Sequence, residues 1–517
     1  MNTSKLLFLG IFSLAAPVLA GAGIEPATTY APGGWPTLHQ DAGNRRSVDA
    51  VIRPRDYDYW QALAGASVLT APVTSPDGQQ IYFTTGLPAG NSNLHAYSIT
   101  GTPLWQAEPW SSAREGVDAC AILSSPIVDD QGDIYLSDCN QVFAFRPTGE
   151  VKWVIELPPL QPGDWVAASD HPVNAFTTAA FTADGNLMGV TNFGDVLVIA
   201  RDTGRTLNKP YRLPGVLPPY ATAEPMPESV FGNGLMDPAF REWAWQLIFG
   251  GSMRSANTPA VAANGRIYVV GSAAREGLGA LYALDVEPSA AGLSLKEAFV
   301  TNIGLGSGSS PALAPDERHV YVSDEEGWFY SIDARTGAMV WKVKTKAAAG
   351  AAAVGRDGTI YALQARAPAV VAIDPQGNVL WQSDFSELIP QDLPSSLLFG
   401  EPVAAGNGNP TVVSNAVLVP VVYGYTVPVL GFTAPVRSVV AALDLETGRA
   451  VHDVVTLPGD SSGITAMLPN GTIVSSIGDA LTSAVSPLQP IMDMLLPGDL
   501  EMMKSVGGIQ VALPVRD

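Results

Sequence analysis

The chain has 517 residues, too many for one ordinary core, and only 15% of them are charged. Its 51 glycines and 42 prolines punctuate short apolar segments with no long helical pattern, which points away from helix bundles and toward an all-β protein. A net charge of −21 repels nucleic acid and anionic lipid, so neither is expected as a partner.

Residues 1–20 read as an export signal: Lys5, then LLFLGIFSLAAPVLA, with small residues up to Ala20. The apolar run is short for a membrane span, which needs about 20 residues. NAVLVPVVYGYTVPVLGF, farther on, contains Pro420 and Pro428 and fits strands and turns, so no membrane span is expected. A periplasmic or secreted location follows, with the oxidising conditions in which Cys120 and Cys139 can pair. The segment between them reads as strand, turn near Gln131, strand, which places the two cysteines roughly opposite each other. A disulfide is expected there, with two buried thiols as the alternative.

From residue 71 onward one unit recurs. It opens with a small-residue strand (LSSPIV, ANTPAV, GSSPAL). A tight turn and an apolar strand follow (DQGDIYLSD, ANGRIYVVG, RDGTIYALQ). A third strand then leads through a glycine turn to a tryptophan four residues after the glycine. Trp105 follows Gly101, Trp153 follows Gly149, Trp341 follows Gly337 and Trp381 follows Gly377. Turns around Gly204 and Gly448 keep the glycine without the tryptophan, and His452 stands in the second of those vacant places.

Asp-Gly and Asn-Gly supply the positive φ of tight hairpins, and each unit predicts a four-stranded antiparallel meander. One meander cannot bury both of its faces, whereas a ring of meanders can. The expected fold is therefore a β-propeller, with Trp105, Trp153, Trp341 and Trp381 wedged between blades and each indole N–H held by a carbonyl. Units begin near 71, 124, 177, 257, 309, 349, 402 and 462, which gives eight blades, with seven as the alternative. The last unit is incomplete, and either GWPTLHQDAGNRRSVDA (34–50) or GGIQVALPV (507–515) is expected to close it. Residues 36–517 form one propeller domain, expected to be monomeric, with a long insert at about 205–255.

The runs SSPIV…GDIYLSD…VFAF…TGEVKW and GSSPAL…VYVSD…YSIDARTGAMVW resemble the pyrroloquinoline quinone (PQQ)-like β-propeller repeat, over most of residues 36–480. That repeat occurs in quinoprotein alcohol dehydrogenases and in an outer-membrane assembly lipoprotein. The resemblance implies a fold and leaves the activity open. The enzyme branch implies PQQ, calcium, a disulfide of adjacent cysteines and an Asp base. This chain has no adjacent cysteines and no C-x-x-C-H haem motif. No cysteine stands near the signal cleavage site to carry a lipid.

Other motifs are sparse. His39, His95, His171, His319 and His452 lack metal-ligand spacing. Gly304–Pro311 leads into a strand and reads as a crowded inner strand rather than a phosphate loop. Trp243 and Trp245, within DPAFREWAWQLIF, read as cap packing. Loops entering the first strands approach the axis on one face, so Asp118, His171, Asn174, Arg254, Asn257, Ser309, Glu401 and Asp460 are the candidate ligand-binding residues. An oxygen-ligated cation near Asp118, Glu401 or Asp460 is one use for that set, and ordinary rim polarity is another. The expected role is binding or scaffolding for an envelope or extracellular protein, a peptide or a small molecule, with no cofactor. The competing class is a PQQ- and calcium-dependent oxidoreductase. A hydrolase or lyase finds no nucleophile constellation.

Overall fold

The computed structural model describes residues 29–515, apart from 88–89, 110–115, 160–173, 217–253, 346–350, 365–368, 428–431, 479–485 and positions 256, 276, 291, 307, 407 and 460. The signal segment, His171, Asp460, Trp243, Trp245 and most of the 205–255 insert therefore lie outside the described residues.

Eight antiparallel sheets make an eight-bladed propeller. Blade 5 shows the pattern, with strands Ala312–Leu313, His319–Ser323, Trp328–Asp333 and Met339–Lys344 paired in sequence order. Blade 7 has a fifth strand: Val403–Gly406 and Thr411–Val413 both pair with Ala416–Val427. The core is a series of layers between blades. One layer joins Tyr321 and Phe329 of blade 5 to Val354, Ile360, Val371 and Ile373 of blade 6, with Trp341 packed against it.

Each glycine turn works as a socket for the preceding blade. In blade 5, Asp333 Oδ1 accepts the N–H groups of Arg335 and Thr336 and the Thr336 hydroxyl, which fixes the turn. A bulge then sets Trp341 opposite Ser331. The Trp341 indole donates to Pro375 O at 2.9 Å in the turn of blade 6. A Cβ on Gly377 would meet that ring at 2.8 Å, and Gly377 has φ +91°, so both contact and backbone demand glycine. The same pairing joins Trp105 to Pro147 O, Trp153 to Arg201 O and Trp381 to Leu445 O. A repeated tyrosine of the second strand backs each indole, with ring centroids 5.8–6.0 Å apart for Tyr82, Tyr135, Tyr321 and Tyr361.

Both ends of the chain close the ring. Blade 8 contains Ser461–Met467, Ile473–Ile477, Ile509–Pro514 and, outermost, Tyr57–Ala62. The GGIQVALPV stretch supplies the third strand as expected, while the N-terminal contribution comes from 57–62 and not from 34–50. Trp60 in that strand is a fifth indole of the same kind, donating to Ile99 O at 2.8 Å.

Residues 34–50 run across the axis instead. They sit on the face that carries the first-to-second and third-to-fourth strand turns, here the hairpin face. Their carbonyls accept the N–H groups that the short inner strands leave over: Trp35 O from Thr74, Pro36 O from Val128, Ala42 O from Val261, Gly43 O from Leu313, Arg45 O from Val354 and Arg46 O from Val412. Tyr30 Oη accepts Phe181 N at 3.1 Å, and Arg46 Nη2 donates to Thr465 O at 3.4 Å. Every blade is thus tied to one axial plug, and the orphan donors of the innermost strands are satisfied by it.

Candidate functional site

The opposite face, formed by the second-to-third strand turns and the loops between blades, carries the candidate residues. Their side chains mostly bind the fold. Asn257 Oδ1 accepts Val270 N at 3.4 Å while its amide donates to Val270 O, and Ser309 Oγ accepts Ser323 N at 3.0 Å. Ser124 does the same for Ser137 N at 3.0 Å. In each case a residue just before the inner strand clips it to the end of the second strand, so these polar positions repeat for a structural reason. Asn174 Nδ2 donates to Pro158 O at 2.8 Å. The backbone of Arg254 bridges Asn192 O and Ser272 N, and its side chain lies against Gly194. Glu401 is exposed and accepts the Ser395 hydroxyl at 2.7 Å.

Asp118 is the exception. It caps the short 3-10 turn Ala119–Leu123 and accepts Cys120 N at 2.8 Å and Cys139 N at 3.2 Å. Cys120 and Cys139 are joined, with Cα atoms 4.8 Å apart. Neither lies in a strand: Cys120 is in the 3-10 turn and Cys139 in the turn after Ile134–Ser137, so the bridge crosses between two turns. Asp138, which the sequence reading passed over, completes this group. Its Oδ1 accepts Asn140 N and Gln141 N, and its Oδ2 faces Asp118 N at 3.4 Å. The signal was present, since Asp138 ends IYLSD as Asp324 ends VYVSD, and Asp324 Oδ1 likewise accepts Glu326 N and Trp328 N.

Burial raises both carboxyls. Asp118 is pushed up to about 7, against the lowering effect of its two N–H donors. Asp138 is held well above the usual carboxylate range by burial and by the Asp118 charge. The two therefore favour a state in which at least one is neutral. Asp118, Cys120 and Cys139 place one possible ligand atom each within 4.8 Å of one another, but the sulfurs are bonded together, leaving a single carboxylate as donor. Glu401 lies on the link between blades 6 and 7, and Asp118 on the link between blades 1 and 2. The donor set among the described residues does not fit the calcium that a quinone cofactor implies.

Elsewhere on this face blade 7 is elaborated. Its second and third strands, Ala416–Val427 and Phe432–Leu443, are long, and their far end packs Tyr425, Val427 and Ala434 against Met492, Leu496 and Met502. Met492 belongs to the helix Gln489–Leu495, and Phe399 of the loop before blade 7 joins the same cluster. Around it Leu397, Leu398, Ile491, Met494 and Leu495 face solvent, Met494 at 76% and Leu397 entirely. On the hairpin face a groove of about 620 Å³ lies between blades 6 and 7, lined by Val48, Arg356, Asp357, Tyr361 and Glu446 among others. Its Arg356 is paired with Asp49 at 3.1 Å.

Comparison with known proteins agrees with this architecture. A family model described as outer membrane protein assembly factor BamB matches residues 236–456. A curated BamB from Nitrosomonas eutropha (strain DSM 101675 / C91 / Nm57) is 38% identical over 68 residues, which is 13% of this chain and 16% of that protein's length. Among solved structures, a europium-containing methanol dehydrogenase superposes with TM-score 0.56 at 13% identity, over 94% of this chain and 98% of the other. A quinohemoprotein alcohol dehydrogenase from Comamonas testosteroni gives 0.57 at 12% identity, over 95% and 82%. At such identities the two enzymes speak for the fold alone. The chain is an eight-bladed propeller, and residues 236–456 within it match that family's repeat.

Proposed function

We propose that this protein is an exported binding scaffold whose partner is another protein of the cell envelope or extracellular space. The observation that carries the reading is the Leu/Met platform beside blade 7. The propeller's regular blades expose large apolar side chains singly or in pairs such as Met339–Val340 and Val379–Leu380, whereas here five gather on a loop and a helix rooted in one buried cluster. Methionine suits a surface that adapts to its partner, and Met494 is the most exposed one there. The matching family, described as an outer membrane protein assembly factor, supports a protein partner and an envelope setting. The axial region offers less: the hairpin face is plugged, and on the loop face Asn257, Ser309 and Asn174 are held by backbone groups.

The test is capture of an envelope partner by the full chain, comparing wild type with a Leu398→Asp/Met494→Asp variant that keeps its melting temperature. Saturable capture lost in the variant supports the platform as contact surface, and equal capture by both removes it. Dye reduction with alcohols, aldehydes or sugars in the presence of PQQ and calcium would overturn the non-catalytic reading in favour of a quinoprotein oxidoreductase.

A further inference from the structure

The axial plug holds a buried cation with no counter-charge. Arg46 is fully buried, and no carboxylate pairs with it among the described residues. Its guanidinium donates from Nε to Pro410 O (2.9 Å), from Nη1 to Leu38 O (3.0 Å), and from Nη2 to Thr411 Oγ1 (3.0 Å) and Thr465 O (3.4 Å). An arginine has five N–H groups, so one on Nη1 is left over. Removing a charge from water without a partner costs several kcal/mol, and burial pushes this guanidinium down to about 9. Arg46 and its neighbours Gln40 and Asn44 also hold left-handed backbone, at φ 50°, 76° and 58°, so the plug keeps a strained path to place them.

Unpaired polar atoms accumulate around the same cation. Trp35 Nε1, Thr37 Oγ1, His39 Nδ1 and Thr258 Oγ1 are all buried without a hydrogen-bond partner. Three of them are linked through one network to Arg46, and Thr37 stands between Trp35 and His39 in the same segment, its carbonyl accepting Gln40 N at 3.1 Å. The Trp35 ring lies 5.2 Å from Arg46 Cζ, and Arg46 N donates to His39 O at 3.1 Å. His39 Nε2 is 3.2 Å from Ser310 Oγ, which accepts Thr258 N at 3.1 Å. In the tautomer in which Ser310 donates to Nε2, the imidazole proton sits on Nδ1 and that orphan atom is a donor. Trp35 Nε1 can only donate, and the two threonine hydroxyls can donate. Buried groups of this kind are rarely left unmatched in native proteins. A cation site needs acceptors, and this cluster offers a positive charge and donors.

We infer that the axis beneath the plug binds a small monovalent anion, of halide or formate size, held by the Arg46 guanidinium with Trp35 Nε1, Thr37 Oγ1, His39 Nδ1 and Thr258 Oγ1. One such ion balances the buried charge and satisfies the orphan donors together. It also joins the N-terminal segment to blade 4 through Thr258 and neutralises the guanidinium that ties the segment to blades 7 and 8, so the ion is part of what locks the plug in the ring. This site is separate from the blade 7 platform, and the two readings stand or fall independently.

Crystals of the full chain grown in sodium bromide test it directly. An anomalous peak within hydrogen-bond reach of the Arg46 guanidinium is expected, and density there that fits water alone overturns the proposal. A peak only on the protein surface, an adventitious ion only, overturns it too. In solution, replacing gluconate by chloride, bromide or formate at constant ionic strength should raise the melting temperature saturably, by about 2 °C or more. Halide and formate arms that differ identify which anion the site prefers. Thr37→Val, which keeps shape and removes one donor, should weaken the midpoint of that titration several-fold. An unchanged midpoint in this variant, or a wild type indifferent to all three anions, refutes the site.

Discussion

The junction between blades 5 and 6 and the junction between blades 3 and 4 solve the same problem differently. At the first, Trp341 inserts over Gly377 and donates to Pro375 O. At the second, no indole packs over a turn glycine among the described residues. Blade 4's third and fourth strands are instead a long hairpin, Leu278–Ser289 and Gly292–Leu305, that reaches back to blade 3. There Leu293 N donates to Leu207 O at 2.8 Å, and Asn208 and Leu293 form a parallel bridge. Leu207, Tyr211, Leu293 and Leu295 cover the junction. Blades can therefore be fastened by one ring in a socket or by main-chain pairing, and the long hairpin is the cost of leaving the socket out. Between blades 4 and 5 an intermediate solution appears. Phe299 takes the ring's place against Gly337, Thr301 Oγ1 donates to Gly337 O at 2.6 Å, and Arg266 Nη1 bonds Ala334 O and Arg335 O.

The sharpest way to break the contrast is Trp341→Ala, which, because the ring is partly buried, should cost about 3 kcal/mol in urea unfolding, the lower end for large core aromatics. An unchanged unfolding midpoint would remove the socket role. Gly292→Ala strikes the other kind of fastening, because a Cβ there runs into Leu207 O. It should lose about 2 kcal/mol, from the displaced hairpin and its broken main-chain bond, with little effect on binding at blade 7.

The junction between blades 1 and 2 adds a pH-dependent element on the loop face. Asp118 has its pKa raised from the ordinary value to about 7, so the folded state binds more protons than the unfolded state in between. Stability should then fall as pH rises from about 4 to about 7, and Asp138, raised by its own burial and by the Asp118 charge, adds to the slope. Asp118→Asn, which can still accept one or both N–H bonds, should flatten that slope in chemical denaturation. The smallest expected effect is His452→Trp, within about 0.5 kcal/mol. His452 occupies the tryptophan position, opposite Ala442 as Trp381 is opposite Ala372. Blade 8, however, offers no third-to-fourth strand turn, since those two strands come from opposite ends of the chain. An indole introduced there has no socket, and a clear gain in melting temperature would show that sockets are unnecessary.

The sequence carried the blades because each is a local object: turn glycine, bulge and tryptophan lie within a dozen residues. Trp60 escaped because its strand has no glycine turn before it and its receiving turn lies in another unit. Phe299 was hidden for a similar reason, since the hairpin before it is lengthened. The axial plug had little side-chain signature, because its carbonyls do most of the joining and any sequence supplies carbonyls, while the side-chain ties from Tyr30, Asn44 and Arg46 follow no repeat. On the loop face, polar residues at the heads of inner strands looked like a converging site. Asn257 and Ser309 instead hold backbone groups of their own blade, and that distinction depends on distances of a few ångströms. Asp138 was readable in the repeat but was masked by its resemblance to an ordinary turn residue, which half of it is.

The closing strand has a consequence for how the molecule is made. Tyr57–Ala62 emerges from synthesis long before its partner Ile509–Pro514 exists. Until then the nascent ring is a gapped arc with bare β edges on either side of the opening, and such edges invite pairing with other chains. The circle can be sealed only after nearly the whole polypeptide has been made, so a chaperone that shields those edges until then would govern yield more than any single blade's stability.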